Sequence, residues 1–369
     1  MSNAPRTIVA KIGSSSLTDD DGAISHDAIA KLCSEVAALH SDGTRVIVVT
    51  SGAIAAGLPE LELGGHNRPT DSVTLQAVAT VGQSALMVRY REELARHGLV
   101  AGQVLLVPFD FIVRSQYLHA RSTLQRLLDL GVVPIVNEND AIADDEIRFG
   151  DNDRLAALVA NLVTADLLVL LTDTDGVLTA DPRIDPAASL ISEIFEVDHQ
   201  LEAMAGGAGS ARGSGGMASK LTAAKVASWS GVPSIIARAD RPDVLVDAVA
   251  GRPGVGTVIR ARDSRLTARK LWIGFAVGSQ GTVSVDPGAR RALEAGKSLL
   301  AAGVRGVSGT FDAGSPIELI DTEGQVFGKG LARHAADELR RVAGLRTDEL
   351  PPGSPSVVVH ADDLVILPA

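Results

Sequence analysis

The sequence predicts an α/β fold, a mostly parallel open sheet sandwiched by helices, followed by a smaller β-rich domain. Three observations carry this. Over the first two-thirds of the chain, short apolar runs alternate with longer stretches of helical periodicity, the pattern of strand–helix units around a parallel sheet. Hydrophobic residues make up 46% of the chain but aromatics only 3%. The core must then be built from Ala, Val, Leu and Ile, which suits strands buried on both faces. Finally, the rhythm changes near Arg260, beyond which short β-like pieces alternate with turn residues.

Taken in order, residues 7–12, 45–50, 101–106, 132–136, 167–171 and 234–237 are strand candidates. Helical periodicity covers 26–40, 74–97, 117–130, 153–161 and 220–229 between them. The 369 residues exceed one ordinary domain. The expected division is a catalytic domain over 1–262, a polar linker over 263–275 and a β-rich domain over 276–369. In the last, 282–285, 304–307, 316–320, 326–330, 356–360 and 364–367 read as strands, with one helix over 333–342.

Charge narrows the function. From Ser264 onward 12 basic residues balance 12 acidic ones, so the net charge of −11 belongs to the first part. Neither part has the basic excess of a protein that neutralises nucleic-acid phosphates. An anionic ligand must instead be held by a few lysines and backbone N–H groups. The single cysteine, Cys33, lies in an Ala/Leu-rich helical stretch and reads as a small buried hydrophobe. No cationic start followed by an apolar run marks a leader, and the apolar runs are too short to span a bilayer. The expectation is a cytoplasmic protein without membrane contact.

In open α/β folds ligands sit at the carboxyl ends of the strands, so the loops after strands are the informative ones. There is no G-x-x-x-x-G-K-[ST] loop, no G-x-G-x-x-G fingerprint and no zinc-type His/Cys cluster. Lys11-Ile12-Gly13-Ser14-Ser15-Ser16 offers a point charge and several N–H groups to an anion; a solvated strand-end lysine before an ordinary turn explains it equally well. In Thr50-Ser51-Gly52-Ala53-Ile54-Ala55-Ala56-Gly57, Ser51 can hydrogen-bond a carboxylate and the small residues suit close backbone approach, but a tight strand-to-helix turn explains the stretch better. Asn137-Glu138-Asn139-Asp140 is different. Four polar residues at a buried strand end are costly unless a ligand or a network satisfies them, and they suit an amino group and a carboxylate on one small molecule.

Gly150-Asp151-Asn152-Asp153 makes a good helix cap, yet supplies more polar groups than a cap needs. Leu171-Thr172-Asp173-Thr174-Asp175-Gly176-Val177-Leu178-Thr179-Ala180-Asp181-Pro182-Arg183 runs from an apolar strand into an acidic loop, which fits a nucleotide-contacting turn, a metal-binding Asp pair or a solvated loop with an Asp-Pro turn. Gly213-Ser214-Gly215-Gly216-Met217-Ala218-Ser219-Lys220 opens a helix. Glycines there let phosphate come close, and Lys220 adds charge near a helix N-terminus; the alternative is a flexible linker.

In this order and spacing the six motifs resemble the amino acid kinase family, almost end to end. KIGSSSLT, SGAIAAG, PIVNEND, GDND, LLTDTDGVLTADPR and GGMASK carry the resemblance. The C-terminal part is similar to PUA domains. The resemblance implies a kinase that uses ATP with Mg²⁺ to phosphorylate the γ-carboxylate of L-glutamate, the first step of proline synthesis. It implies that Lys11 and Lys220 hold the phosphates and that Asp153 orients them. Ser51, Asp140, Asn152 and Asn137 would bind the amino acid. Lys11, Thr172, Asp173 and the run Ser214, Gly215, Gly216, Met217, Ala218, Ser219 and Lys220 would bind ATP, with no direct protein metal ligand assigned. It further implies inhibition by proline, a homo-oligomer (dimer or tetramer) and hand-off of the product to a reductase.

Three other readings stay open: a family member acting on another small acid, an RNA-binding protein led by its C-terminal domain, and an amino-acid sensor. The zero net charge of the C-terminal part argues against RNA. A sensor has no need of Lys11 and Lys220.

Overall fold

The computed structural model describes residues 6–19, 21–63, 68–107, 109–142, 152–181, 185–205, 216–263, 266–276, 278–351 and 356–367. It divides into two compact units, 1–265 and 266–369.

In the first unit, side chains of β1 (Thr7–Ile12) alternate across a sheet covered on both sides. Ile8, Ala10 and Ile12 join a core with α2 (His26–Ser41), so Val9 and Lys11 point the other way. A four-residue helix, α1 (Ser14–Leu17), separates β1 from α2. The chain continues through β2 (Arg45–Val49), α3 (Ala53–Glu60), α4 (Ser72–Arg96), β3 (Val100–Leu106), α5 (Phe109–Ile112), α6 (Arg114–Asp129) and β4 (Val132–Glu138). It goes on through α7 (Asn152–Val163), β5 (Leu167–Thr172), β6 (Glu193–Ile194), α8 (His199–Ala205), α9 (Met217–Trp229), β7 (Ser234–Arg238), α10 (Val244–Val249) and β8 (Gly256–Ile259).

The strands form one eight-stranded sheet in the order β3-β4-β2-β1-β5-β7-β8-β6. Every pair is parallel except β7 with β8. α2, α4 and α10 pack on the face that carries Ile8 and Ala10, while α7 and α9 cover the other. The expected α/β architecture is therefore present, and β1, first in sequence, lies in the middle. Among the described residues no helix is long and apolar enough to cross a membrane. Burial pushes the Cys33 thiol up to about 12, with the charge of Glu93 adding to the effect; it behaves as the buried hydrophobe its surroundings suggested.

Several elements depart from the sequence reading. Residues 53–57, read as part of a strand-to-helix turn over 50–57, already belong to α3, which continues to Glu60 despite Gly57 and Pro59. The reason is tertiary: α3 crosses α4 with backbone against backbone. A Cβ on Gly57 would lie 2.1 Å from the Val78 carbonyl oxygen, and one on Gly82 would lie 1.8 Å from that of Ala53. β6 and β8, too short to show a pattern of their own, exist because they add to the sheet edge.

The linker expected over 263–275 is also corrected in part. α11 (Ala268–Leu271) is followed by a π-helical turn over Trp272–Ala276, and Leu271 and Ile273 are fully buried. Their contacts within the second unit with β13 (Val326–Leu331) and β15 (Leu364–Ile366) make them part of that unit. Its main sheet has the order β11-β9-β12-β13-β15, with β9 Gly281–Val285, β11 Val304–Gly309 and β12 Pro316–Ile320. A separate pair joins β10 (Leu299–Leu300) to β14 (Val357–Val359). α12 (Pro287–Glu294) and α13 (Ala336–Val342) complete the unit around a core of its own.

Candidate active site

The carboxyl ends of four adjacent strands, β4, β2, β1 and β5, meet along one edge of the sheet. In spatial order they bring Asn137 from β4, Thr50 and Ser51 after β2, Lys11 from β1 and Thr172 from β5. Two groups of side chains build on this edge, joined by the first two residues of α7.

Asp153 anchors the first group. Its Oδ1 lies 2.5 Å from Lys11 Nζ and its Oδ2 accepts from Lys220 Nζ at 3.1 Å. Ser219 Oγ, on the first turn of α9, donates to the same Oδ2 at 3.2 Å. All three charged groups are deeply buried: Lys11 is 2% exposed, Lys220 5% and Asp153 0%. Burial pushes the Asp153 carboxyl up, but the ammonium groups of Lys11 and Lys220 outweigh it and hold the carboxyl below its ordinary range. The carboxylate thus keeps two like-charged side chains together at one point. β1 delivers Lys11 because its period-two alternation turns position 11 toward α7.

This lowered value has a consequence for acid stability. A depressed carboxyl contributes stability that is complete above the unfolded-state pKa, about 3.9, and is lost as pH falls through the lower native value. Asp153→Asn removes that contribution. The stability gap between wild type and variant, measured by urea unfolding of the first unit, is therefore expected to be constant near neutrality and to narrow as pH falls below about 4. A gap that widens on acidification would contradict the ionised Asp153.

Asn152 anchors the second group. Its Nδ2 lies 2.8 Å from the Thr50 carbonyl oxygen, 2.9 Å from Ser51 Oγ and 2.8 Å from Asn137 Oδ1. Asn137 Nδ2 in turn donates to Gln83 Oε1 at 2.8 Å. Thr50 Oγ1 and Tyr90 OH share a hydrogen bond of 2.8 Å, which ties the Thr50–Ser51 turn to α4. Gly52 holds φ at 97°, a conformation that favours glycine, and lets the chain turn directly into α3.

Ser51, Asn137, Asn152, Asp153, Lys11 and Lys220 are thus gathered on one edge, and Asp140 follows in the turn after β4. Thr172, at the end of β5, donates to Asp173 Oδ1. These two line a cavity of about 400 Å³ together with Ser15, Ser16, Lys31 and Asp240. Gly216, Met217 and Ala218 lie half-buried at the start of α9. Ser214 and Gly215, and Gly150 and Asp151 of the GDND motif, lie outside the described residues.

Gln83 and Tyr90 were not singled out in the sequence. A signal was present: Ala79, Gln83, Leu86, Tyr90 and Leu94 form the buried stripe of α4, and a glutamine in such a stripe needs a buried partner.

At the strand ends of the parallel sheet a buried carboxylate thus holds two lysines, beside a cluster of amides and a hydroxyl. The model of the amino acid kinase family matches residues 6–238, and that of the PUA domain matches 281–352. The chain belongs to the amino acid kinase family and is a kinase.

Three relatives within that family are glutamate 5-kinases. It is 46% identical to a glutamate 5-kinase of Ralstonia nicotianae, over 98% of this chain and 97% of the relative. It is also 46% identical to one of Salinispora arenicola, over 99% and 98%. A glutamate 5-kinase of Pelobacter propionicus is 41% identical over 98% of both chains. Among solved structures, carbamate kinase of Giardia lamblia bound to AMP-PNP aligns with 70% of this chain and 99% of its own, at 17% identity and a TM-score of 0.50; that likeness concerns the fold alone.

Proposed function

We propose that the protein transfers the γ-phosphoryl group of Mg·ATP to the γ-carboxylate of L-glutamate, forming γ-glutamyl phosphate and ADP. The observation that carries this reading is the pair of buried lysines converging on Asp153. Attack of one anion on another needs positive charge fixed in advance, and two ammonium groups held in a desolvated site supply it. In the transfer, a carboxylate oxygen of glutamate bonds to the γ-phosphorus as the bond to the β-bridging oxygen breaks. The electron pair leaves with ADP. Glutamate's carboxyl, with a free pKa near 4.3, is already ionised at neutral pH, so the reaction asks for no general base. The role left to the protein is positioning and electrostatics.

The amide group beside the lysines supports an amino acid as acceptor. Ser51 Oγ accepts from Asn152, which leaves its own O–H to donate to a carboxylate. Asn152 Oδ1 is buried without a partner among the described residues and suits an ammonium group. In this reading Ser51, Asn137, Asp140 and Asn152 hold glutamate. Lys11, Thr172, Asp173 and the segment 214–220 hold the nucleotide, and Asp153 positions the lysines. Among the described residues no group of three or more His, Cys, Asp or Glu could hold a metal ion; Mg²⁺ would be carried chiefly by the nucleotide and would offset the charge of its phosphates.

The acyl phosphate is labile. In this reading it is the first intermediate of proline synthesis, passed to a reductase, with proline as feedback inhibitor. Incubation of the protein with Mg·ATP, L-glutamate and hydroxylamine is expected to yield γ-glutamyl hydroxamate, in an amount that falls when proline is added. ADP release with a different acid but no hydroxamate from glutamate would keep the kinase and overturn the acceptor.

A further inference from the structure

Gln83 lies in the buried stripe of α4 and is 8% exposed. The orientation of its amide is dictated by backbone groups at the other end of a short relay. The Thr50 carbonyl can only accept, so the Asn152 atom 2.8 Å away is Nδ2. The Glu138 N–H can only donate, so the Asn137 atom 2.9 Å away is Oδ1. Asn137 therefore turns Nδ2 toward Gln83, and Gln83 must present Oε1. Two polar atoms are left buried without partners among the described residues, Asn152 Oδ1 and Gln83 Nε2.

We propose that Gln83 is a positioning residue for the acceptor site: by accepting from Asn137 Nδ2 it holds Asn137 Oδ1 against Asn152, and so keeps Asn152 Oδ1 facing outward as the acceptor for the substrate's ammonium group. This rests on the reading above that the acceptor is an amino acid. Without Gln83 Oε1, Asn137 Nδ2 becomes a buried donor with no acceptor, a costly state. Turning the Asn137 side chain to relieve it removes Oδ1 from Asn152 Nδ2. The Asn152 amide then loses one of the three contacts that fix its direction. Gln83 acts at a distance from the transferring phosphoryl group, which is held on the Lys11 side of the edge, so its loss falls on acceptor binding.

Gln83→Leu in the full chain tests this, with Gln83→Met as a second variant that keeps the length of the side chain. The expected result is a rise of about tenfold or more in KM for L-glutamate, the scale of one hydrogen bond to a charged group. kcat and the KM for ATP should move by less than about threefold. The preference for glutamate over glutarate, which lacks the ammonium group, should shrink by a similar factor. In an Asn137→Ala background, Gln83→Leu should add nothing further, because the relay is already cut. An unmoved KM for glutamate, an unmoved preference over glutarate, or additive effects in the double variant would each overturn the inference. Wild-type protein without glutamate turnover would overturn the acceptor reading and this inference with it, whereas wild-type turnover with an indifferent Gln83→Leu overturns the inference alone.

Discussion

Lys220→Ala is expected to lower kcat about a thousandfold, roughly 4 kcal/mol of transition-state stabilisation. The KM for glutamate should change by less than about threefold, and the protein should remain folded. The asymmetry follows from the geometry. Lys220 shares the Asp153 carboxylate with Lys11, which lies closer, at 2.5 Å against 3.1 Å. Removing Lys220 leaves Asp153 with a charged partner, so the fold keeps a buried ion pair while the reaction loses one of two fixed cations.

Asp153→Ala should behave differently. It leaves two buried ammonium groups side by side without the carboxylate between them, and breaking a buried pair in this way costs about 3–5 kcal/mol of stability. Kinetics and thermal unfolding of the two variants together check the assignment. Near-wild-type kcat in Lys220→Ala, or equal stability losses in both, would contradict the proposed roles. Arginine is not an equivalent replacement at position 220, since its planar fork does not fit a site built around a compact ammonium.

The second large effect is structural and lies away from the charges. Gly82→Ala should destabilise the first unit by about 3 kcal/mol or more, the upper range for overpacking, and lower its Tm by roughly 6–10 °C. The added Cβ would stand 1.8 Å from the Ala53 carbonyl oxygen and 2.3 Å from the Gly57 nitrogen. Both are backbone atoms, so no side chain can swing aside, and α3 and α4 must part. Parting them moves the neighbouring Gln83 and the Thr50–Gly52 turn that leads into α3. Loss of stability should therefore come with a raised KM for glutamate, while the KM for ATP changes less. Differential scanning calorimetry and steady-state kinetics on the same preparation check both. An unchanged Tm would show that the two helices do not cross so closely.

Much of this site could be read in the chain itself. Lys11 ends an apolar strand, Asn137–Asp140 end another, and both are visible because strand patterning is local and polar residues interrupt it sharply. Asn152 and Asp153 open a helix whose apolar run follows at once. Period and punctuation depend only on near neighbours, so the α/β class, most strands and helices, and the candidate loops are all legible before folding.

The rest depends on contacts between residues far apart in sequence. Nothing local reveals that β1 lies between β2 and β5, and it is that order which sets Lys11 between the Asn137–Ser51 group and Thr172. α3 exists because Gly57 meets Gly82, against the helix propensity of its own Gly and Pro. Gln83 matters only because α4 passes beneath the end of β4. What the sequence by itself determined is the α/β class, the polar residues that interrupt it at the strand ends, and the elements on which they stand. The tertiary structure alone decided that one carboxylate, Asp153, would meet two lysines from opposite ends of a 210-residue stretch. The pairing of strands and the packing of α7 and α9 on a single face bring those distant positions within hydrogen-bond reach.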